Sequence, residues 1–288
     1  GDPAPADATA WAQDFGKRLA SAAAAARGLV DSFEGVAAAA AAEVEGTDFT
    51  FLYDEQRELL RIGYNVDTEH LDDNYYDLLA SESRLGSLVA IATGDLPVRH
   101  WLHLGRPLAD VGGRATLLSW SGTMFEYLMP PLLTRRYGGT LLEQSCEAAI
   151  DAQMAHAKRL GLPWGMSESG YGRVDGAGTY QYRAFGVPEL ALDRGQQDDL
   201  IVAPYASVLA LGYRPAAVLH NLRDLTERGA LSTYGLHEAL DFTPSRKPLG
   251  RDYKLVNSYM ANHQGMILEA VAAELTDGAM VHRFHADP

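Results

Sequence analysis

The sequence has little to offer several large classes of function. Cys146 is the only cysteine in 288 residues, so an internal disulfide is excluded and a thiolate metal cage with it. No run of about 18 apolar residues occurs, so the chain carries no segment that reads as a membrane span. The Ala-rich stretches near the start contain charges and lack a signal-peptide pattern. Basic residues are scarce: 24 Lys and Arg stand against 38 Asp and Glu, a formal net charge of -14. A polyanion would be repelled by that field, so nucleic acid is a poor partner and a neutral polymer a tolerable one. There is no phosphate-cradling glycine loop, no dinucleotide fingerprint and no GxSxG elbow. His100 and His103, like His282 and His285, are three apart but have no accompanying ligand motif. The expectation is therefore no metal and no cofactor.

What is present is helix-forming. Hydrophobic residues make up 47% of the chain, enough for one large core. GDPAPADATA reads as an unstructured lead-in. Two Ala-rich helices are expected over 11–27 and 29–44, separated by Gly28. Aromatic and branched residues flank the polar DEQRE and predict a hairpin over 49–66. Helical periodicity then predicts helices over 74–92, 123–137, 140–160, 200–211, 215–228 and 255–275. Pro215 suits a first helical turn, and Gly94 stands where a helix should end. With about eight helices and little strand, the class is mainly α. Cys146 lies on an apolar stripe of the 140–160 helix and reads as a buried structural thiol.

The loops between these helices hold the candidate chemistry. Glycosidic bonds are broken by paired carboxylates, and pyranose rings are gripped by aromatic faces. Trp120, Trp164, Tyr171, Tyr180, Tyr182, Phe185 and Tyr234 are aromatic residues among polar loop residues, each also compatible with packing in a core. Trp120, Trp164, Tyr180 and Tyr182 are expected to line one cleft. Among carboxylates, Glu168 in WGMSESGY has no helical partner. Glu82 in DLLASESRL is either a solvated helix residue, a partner of Arg84, or turned into a cleft. Glu126 is a charge in the apolar run SWSGTMFEYLMP, which is costly unless paired or functional. Glu238 and Asp241 form a third acidic group beside aromatics. Asp72, Asp73 and Asp77 read as caps for the following helix.

In one order along the chain stand FLYDEQRELLRIGYNV, LDDNYYDLLASESRLGSLVAIATGDLP, HWLHLGR, LLSWSGTMFEYLMP, PWGMSESGY, YQYRAFGVP, DDLIVAPYA and SYMANHQGM. From residue 49 to the end this series resembles the glucoamylase-like cyclisation domain of cyclic β-1,2-glucan synthases, which is related to β-1,2-glucanases. The resemblance implies an (α/α)6-barrel, or toroid, over 49–288, with 1–48 as Ala-rich helices leading into it. The helices counted fall short of a full barrel, so the expectation is an incomplete one. The implied activity is a retaining transglycosylation that cuts a linear β-1,2-glucan and joins it to its own end. Endo-β-1,2-glucanase activity, or a non-catalytic glucan-binding segment, are the alternatives. By the same resemblance Glu82 is the acid/base and Glu168 the nucleophile. Arg183 in YQYRAFGVP and His263 and Gln264 in MANHQGM join the aromatic residues, Glu126 and Glu238 as candidate glucan contacts. Asn262 stands where the family usually has His, and SESGYGRVD departs from its commoner SESAYN. The implied partners are the glucan and the other domains of a larger synthase, at the cytoplasmic face of an inner membrane, with no membrane contact by this segment.

Overall fold

The computed structural model describes residues 5–193 and 198–286. The chain divides into two units, 1–51 and 52–288.

The first unit is one helix, α1 (Pro5–Gly46), continuous through Gly28 where a break was expected. One glycine costs a helix about 1 kcal/mol, which the alanine-rich turns on both sides offset. Helix α1 takes in the end of the lead-in that was expected to be unstructured; residues 1–4 of that lead-in lie outside the described residues. None of residues 8–46 is buried. Trp11 and Phe15, one turn apart, stack with ring centroids 5.4 Å apart.

The second unit is mainly helical: α2 (Ser81–Ala92), α3 (Arg99–His103), α4 (Met124–Leu128), α5 (Leu141–Leu160), α6 (Pro204–Val208), α7 (Pro215–Glu227), α8 (Ala261–Leu275) and α9 (Ala279–Phe284). Helix α5 is the best specified. The Thr140 hydroxyl accepts from the backbone N–H of Glu143, and Gly161, at φ 65°, takes the left-handed position after the last turn. Its inner face supplies Cys146, Ala149 and Ile150 to the main core, where they meet Leu117, Met124, Tyr127 and Leu128. Burial pushes the Cys146 thiol up to about 11, which leaves it inert at neutral pH.

Four expected helices are shorter than their periodicity suggests. The one expected over 123–137 is α-helical only over Met124–Leu128, because Pro130 and Pro131 bring no backbone N–H and the chain tightens into a 3-10 turn at Pro130–Leu132. The helix expected over 74–92 begins only at Ser81. Its first residues are diverted: the Tyr75 hydroxyl donates to Asp54 Oδ2 at 2.6 Å, and Asp77 Oδ1 accepts from the N–H groups of Leu79 and Ala80. Residues 200–211 and 255–275 each lose their first turn to a strand. Ile201–Val202 and Lys254–Val256 flank Ala239–Asp241 in a three-stranded antiparallel sheet. Strand content exceeds the single expected hairpin. Tyr53–Asp54 pairs with Leu59–Leu60 inside the expected span, and Tyr64–Asn65, at the end of that span, pairs with His70–Leu71 beyond it. Leu108–Val111 with Arg114–Leu117, Ser169–Val174 with Tyr180–Arg183, and Leu231–Ser232 with Gly235–Leu236 add three more. No sheet closes on itself among the described residues.

One backbone crossing ties two loops that lie far apart in the sequence. The segment 119–122 runs against 186–192: Val187 N–H donates to Gly122 O at 3.1 Å, and Leu192 N–H to Ser119 O at 2.9 Å. A Cβ on Gly186 would collide with the backbone of Ser121 and Gly122, atoms that cannot rotate away. Gly186→Ala is therefore expected to destabilise the fold by roughly 3 kcal/mol or more, read from the midpoint of urea unfolding. An unchanged midpoint would show that the two segments can separate freely.

Candidate active site

Three glutamates far apart in the sequence line one cleft of about 640 Å³: Glu82, Glu126 and Glu168. Glu82 enters from the first turn of α2 and is solvent-exposed. The N-terminus of a helix favours an anion there. Glu126 enters from the first turn of α4. The Thr123 hydroxyl accepts from Glu126 N–H and donates to Glu126 Oε2, both at 3.3 Å, so this glutamate closes a reciprocal cap. Glu168 enters from the backbone just before the strand Ser169–Val174. Its carbonyl accepts from the Tyr205 hydroxyl at 2.9 Å.

The electrostatics are those of crowding. Burial, then the neighbouring Glu126 and Glu82, push the Glu168 carboxyl up to about 7, while a hydrogen bond from the Tyr182 hydroxyl acts against this. Burial is also the main cause that raises Glu126 above the ordinary range, and Asp77 adds to it. Asp77 is itself raised by burial. Arg84 is the buried cation that faces Asp77 and Glu126, and its guanidinium reaches the Glu126 carbonyl at 3.4 Å. Burial and mutual crowding thus push the carboxyls of Glu168, Glu126 and Asp77 toward their protonated forms, the kind of perturbation that acid–base chemistry uses.

Aromatic residues surround the carboxylates, though not the full set expected. Trp120, 64% exposed, stands in the cleft wall with Tyr75, Tyr76 and Phe125. Tyr182 is exposed beside Glu168. The expectation that Trp164 and Tyr180 share this cleft does not hold. Trp164 is buried in the main core, its backbone N–H bonded to Asn221 Oδ1 at 3.0 Å. Tyr180 packs beside a second core of Tyr171, Phe185, Ile201, Ala239 and Val256, and its hydroxyl accepts from Asn257 N–H. Tyr171 and Phe185, both candidate sugar contacts, meet edge to face inside that core and cannot touch a polymer.

The remaining candidates lie outside the cleft wall. Arg183 faces Asp199 at 3.6 Å and lies over the Tyr171 ring. Tyr234 is 81% exposed and meets Tyr259 edge to face. Glu238 and His263 are buried against each other, with His263 Nδ1 3.0 Å from Glu238 Oε2. Gln264 donates to the Leu236 carbonyl at 2.9 Å. Asp241 is likewise buried, bound to Arg246 and to the N–H of Gly172.

Residues not picked out as sugar contacts include Tyr75, Tyr76 and Phe125, and Asp77, expected as a helix cap, both caps and lines the cleft. The paired tyrosines of LDDNYYDLL were the available signal. Among the described residues no group of His, Cys, Asp and Glu could hold a metal ion. No described helix is long and apolar enough to cross a membrane.

Residues 74–288 match the family model Glycoamylase. The chain is 51% identical over 241 residues to the cyclic β-(1,2)-glucan synthase NdvB of Rhizobium meliloti (strain 1021), a match covering 84% of this chain and 8% of that protein. It thus spans a small part of that relative's length. A glucoamylase-type structure from Bacteroides caccae superposes with a TM-score of 0.62 at 16% identity, over 84% of this chain and 59% of the other. The endo-β-1,2-glucanase of Chitinophaga pinensis, in complex with sophorotriose and glucose, gives 0.57 at 15%, over 84% and 59%. A mutant endo-β-1,2-glucanase of Talaromyces funiculosus in complex with β-1,2-glucan gives 0.54 at 14%, over 83% and 54%. The helices of the second unit are thus those of an α/α toroid.

Proposed function

The chain belongs to the Glycoamylase family, and from that premise we propose that it is a retaining transglycosylase domain acting on β-1,2-glucan. The observation that carries this reading is the convergence of Glu82 and Glu168 on one cleft with Trp120 in its wall. In the first step a Glu168 carboxylate oxygen bonds to the anomeric carbon. The glycosidic C–O bond breaks, and the leaving oxygen takes the proton of Glu82. In the second, Glu82 takes the proton of an incoming sugar hydroxyl. That oxygen displaces Glu168 and restores the original anomeric configuration. When the hydroxyl belongs to the far end of the same glucan, the product is a ring. The wall aromatics hold the chain so that its own end meets the glycosyl-enzyme at high effective concentration.

Residues 49–288 are taken as the acting unit. The 51% identity to part of a synthase supports placing it within a longer polypeptide. One observation favours endo-hydrolysis as the second reading: Glu82 is exposed, so water can reach the base of the second step. The mass of the products separates the two. Incubated with linear β-1,2-glucan, the chain is expected to release products one water lighter than linear glucans of the same length. Linear products alone would show hydrolysis, and an unchanged substrate would show a binding segment without activity.

A further inference from the structure

We infer that Tyr205, His263 and Glu238 form a positioning clamp that holds the backbone on both sides of Glu168 and so fixes where its carboxylate points. This rests on the reading of Glu168 as nucleophile, and it corrects the expectation that Glu238 and His263 touch the glucan: they are 2% and 1% exposed. The clamp begins at α6. The Tyr205 hydroxyl lies 2.9 Å from both the Ser167 hydroxyl and the Glu168 carbonyl. The Ser167 hydroxyl in turn accepts from Phe125 N–H at 3.1 Å, which ties the same spot to α4, the helix of Glu126. The Tyr205 ring stacks on His263 of α8, with centroids 3.8 Å apart and planes 15° apart. His263 Nδ1 meets Glu238 Oε2 at 3.0 Å, and Glu238 Oε1 accepts from Gly170 N–H, again at 3.0 Å. The chain of contacts leaves the Glu168 segment at residues 167 and 168 and returns to it at 170.

None of the three clamp residues lines the cleft. A carboxylate and an imidazole are costly to bury, and a well-packed apolar pair would cost less, so a merely space-filling role does not account for them. A segment that must present a nucleophile within a few tenths of an ångström does, because small misplacements of a reacting group cost about 100-fold in rate. The carboxyl so held faces Glu82 of α2, Glu126 of α4 and the hydroxyl of Tyr182. Freed from the clamp, it would turn toward solvent and away from those neighbours.

The test tracks the Glu168 carboxyl by carbon NMR in protein labelled at the glutamate carboxyl carbon, its resonance identified by its loss in Glu168→Gln. Alongside, kcat and KM are measured on linear β-1,2-glucan. Tyr205→Phe keeps the ring stack and removes both hydroxyl contacts. It is expected to move the Glu168 titration midpoint from about 7 toward the ordinary glutamate range, and to lower kcat roughly 10- to 100-fold with KM within about twofold. Glu238→Gln keeps an acceptor for Gly170 N–H and can donate to His263 in its other tautomer, so it is expected to hold the midpoint. Glu238→Ala is expected to lose it. A wild-type midpoint in both Tyr205→Phe and Glu238→Ala would overturn the clamp. If the midpoint moves as expected while the wild-type chain leaves the glucan untouched, the clamp stands and the catalytic reading of Glu168 falls.

Discussion

Replacing Glu168 by glutamine is expected to lower the rate on β-1,2-glucan by about 1,000-fold or more and, at the same time, to stabilise the protein above neutral pH. The loss is a matter of chemistry: the amide has the shape of the carboxylate but no oxygen able to carry a glycosyl bond as a leaving group. The gain is a matter of linkage. The Glu168 carboxyl is raised from 4.5 to about 7 in the fold. The folded state thus binds that proton more tightly than the unfolded chain. The stability it confers is fully present below about 4.5 and is lost as pH rises through about 7. Glutamine does not titrate and escapes that loss, so the variant should exceed the wild type at pH 8 by on the order of 1–3 kcal/mol and match it near pH 4. Urea unfolding at the two pH values measures this. The same titration assigns the role. A nucleophile must be ionised, so kcat/KM should rise with pH through about 7; a general acid would give a fall over the same range. Full activity in Glu168→Gln would move the nucleophile elsewhere, with Glu126 the next residue in the cleft to test.

How far the sequence could be read depended on whether the deciding contact was local. Helix α5 was legible from end to end because Thr140, Glu143 and Gly161 settle its limits within their own neighbourhood. Pro215 marked the start of α7 in the same way. The first turn expected before α2 was not legible. It is undone by Asp54, 21 positions away from the tyrosine it binds. The strands Ile201–Val202 and Lys254–Val256 are two and three residues long. Apolar runs that short fit either period, and only their shared partner, Ala239–Asp241, makes them strands. The aromatic residues were ambiguous for a related reason. Trp120 and Trp164 both sit in polar loops, yet one stands 64% exposed in the cleft wall and the other is 7% exposed in the core. Glu168, and more weakly Glu82, stood out locally as candidate carboxylates, but their pairing as nucleophile and acid/base came from the resemblance of whole motifs, since nothing local to either residue says that they meet. The pairing of Glu238 with His263 joins two motifs that were each noted, but no spacing rule links a loop carboxylate to a distant helix.

Glu82→Gln is expected to slow turnover of β-1,2-glucan by roughly 100- to 10,000-fold, and the defect should depend on the leaving group. In the proposed first step Glu82 protonates the departing glycosidic oxygen, whose alkoxide is too basic to leave unaided. An aryl glycoside of sophorose with a dinitrophenolate leaving group needs no such proton. On that substrate Glu82→Gln should release dinitrophenol at a rate approaching the wild type's, whereas Glu168→Gln should stay inactive because its missing group is the nucleophile. The second step remains impaired, since no base is left to deprotonate the incoming hydroxyl. Dinitrophenol should therefore appear as a burst of about one equivalent followed by slow turnover, with the glycosyl group retained on the protein and visible as added mass. An anionic acceptor such as azide arrives already deprotonated and should restore turnover, yielding a β-glycosyl azide through two inversions at the anomeric carbon. The exposure of Glu82 leaves room for that small anion to enter. An α-glycosyl azide would show a single displacement and end the retaining reading, and a variant as slow on the activated substrate as on the glucan would remove Glu82 from the role of acid.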